Sequence, residues 1–354
     1  MSSPLTGPVE IVGTGLIGTS IGLACRRAGL EVVLTDLSED HLRTASGLGA
    51  GRPRAEGDRP QLVVVAVPPD HLAEAISRAV TDGETVVTDV GSVKSAPLAA
   101  VAGLPGVARY VGGHPMAGSE RSGPLAASAA LFDGRPWAVT PHDTADPEAV
   151  ALVEALAELC GAVPVRLSPA EHDRAVARTS HLPHLLAALA AAALLDAPAE
   201  HLRLSGQGVR DVTRIAAGDP ALYGQIVAAN ADVVGELLLA LRDHLDDAID
   251  ALDLGDRDAL EALLRLGVAG TRAIPGKHGG PVRPTAAVYV AVPDHPGELA
   301  RLFADAGEIG VNIEDVRIDH DPGRPVGLVE LTVEEGRAEH LLGSLESRGW
   351  VTHR

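Results

Sequence analysis

The sequence predicts an α/β chain in three parts: a doubly wound, mostly parallel sheet, then an all-helical segment, then a small α+β module. Three observations carry that reading. Over residues 1–167, short β-type apolar runs alternate with helical patterns and Gly-rich turns. From Ser168 to Ile274 the β-branched runs give way to Ala- and Leu-rich helical periodicity. After a Pro/Gly-rich linker at 275–284, residues 285–354 read strand, helix, strand, strand, helix, strand, which is the ferredoxin-like order.

The first part opens with Val9-Glu10-Ile11-Val12, a strand-like run. Gly13-Thr14-Gly15-Leu16-Ile17-Gly18 and an apolar helical pattern follow, then a second strand ending at Asp36. Each piece suits a dinucleotide. Gly13 permits a tight turn, Gly15 lets the backbone approach a pyrophosphate, and Gly18 lets helix pack on strand. The helix start at Leu16 and Ile17 offers free N–H groups to phosphate. Asp36, about 20 residues on, accepts from an adenosine ribose and repels a 2′-phosphate, so NAD is the expected cofactor. This is a Rossmann-type dinucleotide-binding domain.

Residues 62–67 are β-branched almost throughout, as in a strand buried on both faces, and run into Val67-Pro68, a further expected cofactor contact. A strand over 85–90 leads to Gly91-Ser92, and one over 109–111 leads to Gly112-Gly113-His114-Pro115. Ligands of doubly wound sheets bind outside the carboxyl ends of strands, so Pro68, Ser92 and His114 are expected at one crevice. His114, on a turn after Gly-Gly, is the expected proton acceptor for an alcohol. Strands over 137–140 and 163–167, with a helix between them, complete the sheet.

Ser168-Pro169-Ala170-Glu171 has capping-box spacing and starts the helical segment. Helices this apolar need partners, so a homodimer joined through 168–274 is expected. In the last part, Asp294-His295-Pro296-Gly297 and Asn312-Ile313 resemble the ACT regulatory module, which implies an amino-acid effector held by Asp294, Pro296, Gly297, Asn312 and Ile313.

Bulk properties exclude other classes. With 354 residues the chain has room for two or three domains. A formal charge of −19 disfavours nucleic acid and anionic membranes. Two cysteines, Cys25 and Cys160, lack metal-ligand spacing and read as buried thiols. No metal is expected. There is no basic, apolar leader at the start, and no run of about eighteen apolar residues, so a cytoplasmic protein without a membrane span is expected.

Taken in order, Gly13–Gly18, Asp36, residues 65–69, residues 88–94, residues 113–120, Ser180-His181-Leu182-Pro183-His184 and Asp211-Val212-Thr213-Arg214-Ile215-Ala216 resemble the prephenate dehydrogenase family. The resemblance covers residues 9–274. It implies NAD-dependent oxidative decarboxylation of prephenate to 4-hydroxyphenylpyruvate in tyrosine synthesis, with tyrosine as the natural feedback effector. Arogenate dehydrogenation is the alternative, and a non-catalytic sensor of NAD and an amino acid is the remote one. A β-hydroxyacid dehydrogenase would need a lysine in the helical segment, and residues 168–274 contain none.

The resemblance also assigns roles. His114 is the base, with Ser92 bonding the same hydroxyl or orienting the imidazole. Arg214 grips a substrate carboxylate, assisted by His184 as a second cationic-capable group. Ser119 donates to substrate, Glu120 pairs with Arg214 as a gate, and Tyr223 lies near the pocket. His181, His172 and Asp173 stand behind these groups. Lys94 is left between a structural ion pair and a cofactor contact.

Overall fold

The structure is a computed structural model and describes residues 3–118, 121–274, 284–320 and 326–354. It divides into two compact units, Met1–Asp243 and His244–Arg354.

The first unit begins β1 (Val9–Val12), α1 (Leu16–Arg27), β2 (Val32–Thr35), α2 (Glu39–Gly47), β3 (Arg52–Pro53), β4 (Leu62–Val65) and α3 (Pro69–Thr81). It continues β5 (Val86–Asp89), α4 (Ser95–Val101), β6 (Tyr110–Pro115), β7 (Pro136–Thr140), α5 (Pro147–Leu159) and β8 (Val163–Arg166). The sheet order is β3-β2-β1-β4-β5-β6-β7-β8. All pairs are parallel except β6–β7. Side chains on β4 alternate between two cores. Leu62 and Val64 join Ile21, Cys25 and Leu156 on one face, and Val63 and Val65 join Leu72, Ile76 and Val80 on the other. A strand covered by helices on both faces must be apolar at every position, and β4 is.

One strand runs further than the sequence suggested. The expected strand ended at Val111, with His114 on a turn. In the structure β6 continues to Pro115 and pairs antiparallel with β7, His114 opposite Ala138. Gly112 and Gly113 serve close packing rather than turning. A Cβ at Gly113 would lie 2.8 Å from the Asp89 carbonyl oxygen and 3.0 Å from Trp137 Nε1. His114 is therefore held by a backbone ladder.

The helical part follows as α6 (Pro169–Val176), one wide turn at Ala177–His181, α7 (Leu182–Ala192), α8 (Ala199–Leu202), α9 (Gln207–Thr213), a tight turn at Arg214–Ala217, α10 (Pro220–Ala229), α11 (Ala231–Leu254) and α12 (Arg257–Arg272). Ser168 caps α6 through Glu171 N at 3.2 Å, as its sequence predicts. The wide turn lies just ahead of Pro183, which has no N–H and crowds the carbonyl four residues back. Residues 168–274 fall on both sides of the division between the two units. Up to Asp243 they belong with the sheet, where α6 packs on α4 and β7, and α10 packs on α3. The boundary falls inside α11. No single helix among the described residues is long and apolar enough to cross a membrane.

The second unit contains β9 (Thr285–Pro293), α13 (Glu298–Ile309), β10 (Ile313–His320), β11 (Val326–Glu334), α14 (Glu335–Ser347) and β12 (Val351–His353). Its antiparallel sheet runs β10-β11-β9-β12. Val288, Val290, Leu331, Leu302, Leu341 and Leu345 form its core, with both helices contributing. Of the expected linker, Pro284 alone is described.

Candidate active site

The Gly-rich turn has the shape a pyrophosphate needs. Gly13 has φ 98°, and a Cβ there would sit 2.4 Å from the Ala66 carbonyl oxygen and 3.1 Å from Val67 Cγ1. A Cβ at Gly18 would strike the Gly13 carbonyl oxygen. Gly15 faces open space and precedes α1 with no side-chain cap, so the first amides, including those of Leu16 and Ile17, remain available to an anion. Val67 and Pro68 follow β4 and lead into α3.

Asp36 follows β2. One of its oxygens accepts from Thr14 N at 2.6 Å and Thr14 Oγ1 at 2.7 Å, and the other accepts from Ser38 N at 2.7 Å. Partial burial opposes the charge, but these hydrogen bonds outweigh it and hold the carboxyl below its ordinary pKa. Beside Asp36 lies a cavity of about 410 Å³, lined by Leu34, Leu42, Pro53, Arg54, Ala55 and Glu56 among others. These features fit the adenosine end of NAD.

His114 lies at the same end of the sheet. Val12, Val65 and Asp89 are in register across β1, β4 and β5, and β6 continues past β5. Three strand spacings, roughly 14 Å, separate the Gly13 strand from the His114 strand. The His114 side chain is half-buried. Its Nδ1 lies 2.9 Å from His172 Nε2, and His172 Nδ1 lies 2.9 Å from Asp173 Oδ1. Asp173 also accepts from Lys94 N and Ser95 N, both at 2.8 Å. Burial opposes its charge, but the bonds from His172, Ser95 and Lys94 prevail and lower its pKa. Burial, then the neighbouring His172, Lys94 and His181, keep His114 well below the usual imidazole value, so it is neutral near pH 7.

Beneath His114 is a buried ionic floor. Lys94 is paired with Asp89, both side chains fully enclosed, and its Nζ donates to the Gly113 carbonyl at 2.7 Å. Asp89 also accepts from Tyr110 Oη at 2.9 Å and Gly91 N at 2.8 Å. Burial and the adjacent Asp89 carboxylate push the Tyr110 phenol well above its ordinary pKa, so it stays a donor. Lys94 is thus a structural ion pair that ties β5, β6 and the start of α4. Ser92, half-buried, lines a cavity of about 100 Å³ with Pro69, Leu72, Val93 and Ile226. The contact that orients His114 is made by His172.

On the helical side, His184 of α7 stacks on Tyr223 of α10, ring centroids 3.4 Å apart and nearly parallel at 6°. Gly218 lies against both rings. Burial lowers the His184 pKa and so favours its neutral ring. Arg214 is exposed on the tight turn after α9, and both α9 and that turn pack against α7. His181 is buried, with Nδ1 3.3 Å from Asn230 Nδ2, and Asn230 also donates to the Asp173 carbonyl at 2.9 Å. Ser119 and Glu120 lie outside the described residues.

In the second unit, Asp294, Pro296 and Gly297 form the exposed connection from β9 to α13, with Gly297 at φ 96°. Asn312 and Ile313 lie at the other end of α13, where Asn312 Nδ2 donates to Glu314 Oε1 at 2.7 Å. A helix of 12 residues is about 18 Å long, so these five residues do not share one pocket within a single copy.

Sequence reasoning missed Asp89, Tyr110 and Asn230. The acid at the end of β5 and the tyrosine opening β6 were visible as residue types, but no local pattern pairs them.

The chain is similar to known proteins. The family model described as prephenate dehydrogenase, nucleotide-binding domain, matches residues 21–166, and that described as prephenate dehydrogenase, dimerization domain, matches 168–266. A probable prephenate dehydrogenase of Streptomyces niveus is 39% identical over 96% of this chain and 98% of its own. The crystal structure of Aquifex aeolicus prephenate dehydrogenase in complex with hydroxyphenyl propionate and NAD+ superposes with a TM-score of 0.68 at 26% identity, covering 76% of this chain and 99% of that one. Synechocystis arogenate dehydrogenase superposes with a TM-score of 0.63 at 27% identity, covering 75% and 98%.

Proposed function

The chain belongs to the prephenate dehydrogenase family of NAD-dependent oxidoreductases, and we propose how its residues share the conversion of prephenate to 4-hydroxyphenylpyruvate and CO₂. NAD, when bound, supplies the hydride acceptor. The Gly13–Gly18 turn and the start of α1 hold its pyrophosphate, Asp36 its adenosine ribose, and Val67 and Pro68 border it.

Neutral His114 accepts the proton of the ring hydroxyl as the carbon bearing it loses hydride and becomes trigonal. The ring carboxylate then leaves as CO₂, drawn by aromatisation. Ser92 donates to or accepts from the same hydroxyl. Arg214 grips a carboxylate of the substrate, and the His184–Tyr223 stack gives the ring a flat wall. Ser119 adds a donor, and Glu120 pairs with Arg214 when no substrate is bound. His181 and Asn230 brace the segment carrying Asp173.

The observation that carries this reading is the chain His114–His172–Asp173 beyond the carboxyl end of the sheet that presents the Gly-rich turn. An assay crossing prephenate and arogenate with NAD and NADP, followed by absorbance of the reduced cofactor, tests it. Turnover should be fastest with prephenate and NAD. Preference for arogenate would move the assignment to that substrate, as the Synechocystis likeness allows. Tight NAD binding without turnover of either would favour a sensor.

The protein acts as a cytoplasmic homodimer in this reading. Leu195 and Leu204 are 83% and 86% exposed in the segment matched by the dimerization-domain model, and covering such residues favours association. The second unit acts as an ACT-like regulatory module for tyrosine. Truncation after Pro284 should abolish tyrosine inhibition and preserve turnover. Equal inhibition of both forms would place the effector in the active site.

A further inference from the structure

Given a singly protonated His172, proton counting sets the direction of the hydrogen bonds behind His114. Asp173 accepts two backbone N–H groups, so it is a carboxylate and takes a proton donor from His172 Nδ1. With its second nitrogen unprotonated, His172 presents a lone pair at Nε2. That lone pair faces His114 Nδ1 at 2.9 Å, and two lone pairs cannot face each other at that distance, so His114 carries its proton on Nδ1. Its Nε2 is left bare.

We propose that His172 fixes His114 in the tautomer that can accept a proton and then takes the positive charge that the reaction would leave on it. This rests on His114 being the base. The transfers balance as follows. The substrate O–H bond breaks, its electron pair stays to form the carbonyl as hydride leaves to NAD, and the proton bonds to His114 Nε2. The His114 Nδ1–H bond breaks and that proton bonds to His172 Nε2. His114 ends neutral, and His172 ends as an imidazolium beside the Asp173 carboxylate. As CO₂ leaves, the electron pair of the broken C–C bond aromatises the ring and the former carbonyl oxygen becomes a phenolate, which takes the proton from His114 Nε2 while His172 Nε2 returns its proton to His114 Nδ1.

The surrounding charges favour that destination. Lys94 and His181 face His114 from the start of α4 and from the wide turn, and Lys94 opposes a cation there. Asp89 is already matched by Lys94. Asp173 is bonded directly to His172. His172 is thus a positioning residue that acts through His114.

Two variants and one spectrum test the proposal. In His172→Leu both roles are lost, and kcat should fall about 100-fold or more, with the KM for prephenate and the NAD dissociation constant within about threefold of the parent. The amide of His172→Gln can accept from His114 Nδ1 and donate to Asp173 but cannot take a proton, so its kcat should fall less, by about tenfold. In the parent enzyme labelled with ¹⁵N-histidine, NMR should report His114 protonated on Nδ1 and bare at Nε2. A His172→Leu enzyme within about twofold of parental turnover would overturn the proposal, and so would a His114 protonated on Nε2 in the parent. The spectrum decides if the leucine variant does not fold. Loss of activity in His114→Asn alongside a fully active His172→Leu would sink this inference alone, whereas an active His114→Asn would sink the assignment of the base beneath it.

Discussion

His114 and His172 meet edge to face, their rings inclined at 67° and their facing nitrogens 2.9 Å apart. One imidazole steers another, and the steering ring is itself anchored to a carboxylate on the adjacent residue.

Replacing His114 by Asn keeps a polar group of similar reach and removes the proposed base. Turnover should drop by about two to four orders of magnitude, the usual worth of a positioned proton acceptor, with NAD affinity unchanged. Because burial and its neighbours hold His114 well below the usual imidazole value, the acid limb of kcat against pH should lie below about 6.5. A limb above that value would contradict the assignment.

The same shifts make stability depend on pH. His114, His181 and His184 all have lowered pKa values in the fold, each chiefly through burial. Between the unfolded value, about 6.5, and the lower folded values, the unfolded chain binds more protons than the native one. Stability is therefore full above about pH 6.5 and declines as pH falls through the folded values. Calorimetry across pH 7.5 to about 5 should show a falling Tm, and the fall should be shallower in His181→Asn.

Lys94 and Asp89 are both enclosed, so removing one partner leaves an uncompensated charge. Lys94→Met should cost about 3–5 kcal/mol in urea unfolding, far more than an exposed pair would. Adding Asp89→Leu should recover part of that loss and leave the Tyr110 hydroxyl and Gly91 amide without their acceptor. A single variant as stable as the parent would show that the pair does not hold the floor together.

Asp36 both faces the expected ribose and ties down Thr14. Asp36→Ser should weaken NAD binding by about 10- to 100-fold, since hydrogen bonds to a charged group are each worth about 1.5–3 kcal/mol. NADP should lose less, because a repelling charge is gone. Equal losses for both cofactors in fluorescence titration would point to the Thr14 contact alone.

Much of this was legible beforehand. The strands of the first unit announce themselves through β-branched runs, and Ser168 and Asp146 mark helix starts through capping chemistry that acts over three and two residues. The Gly-rich turn and Asp36 are likewise local. The full length of β6 was hidden because Gly-Gly reads as a turn, and only the packing of Gly113 on Asp89 and Trp137 makes it a strand. The bonds from Asp173 to the amides of Lys94 and Ser95 span 79 and 78 residues, a distance over which periodicity carries no signal. Lys94 could be found in the sequence, but its partner could not be chosen without the fold.

The burial of Lys94 has a practical side. The chain has two lysines, Lys94 and Lys277, and the first is sealed beneath β6 with its ammonium bonded to Asp89 and to the Gly113 carbonyl. Acylating reagents will leave Lys94 untouched for as long as that region stays closed. The rate at which a mass tag finally appears on it is then a clock for how often the base of the crevice opens, readable in a digest without any engineered probe.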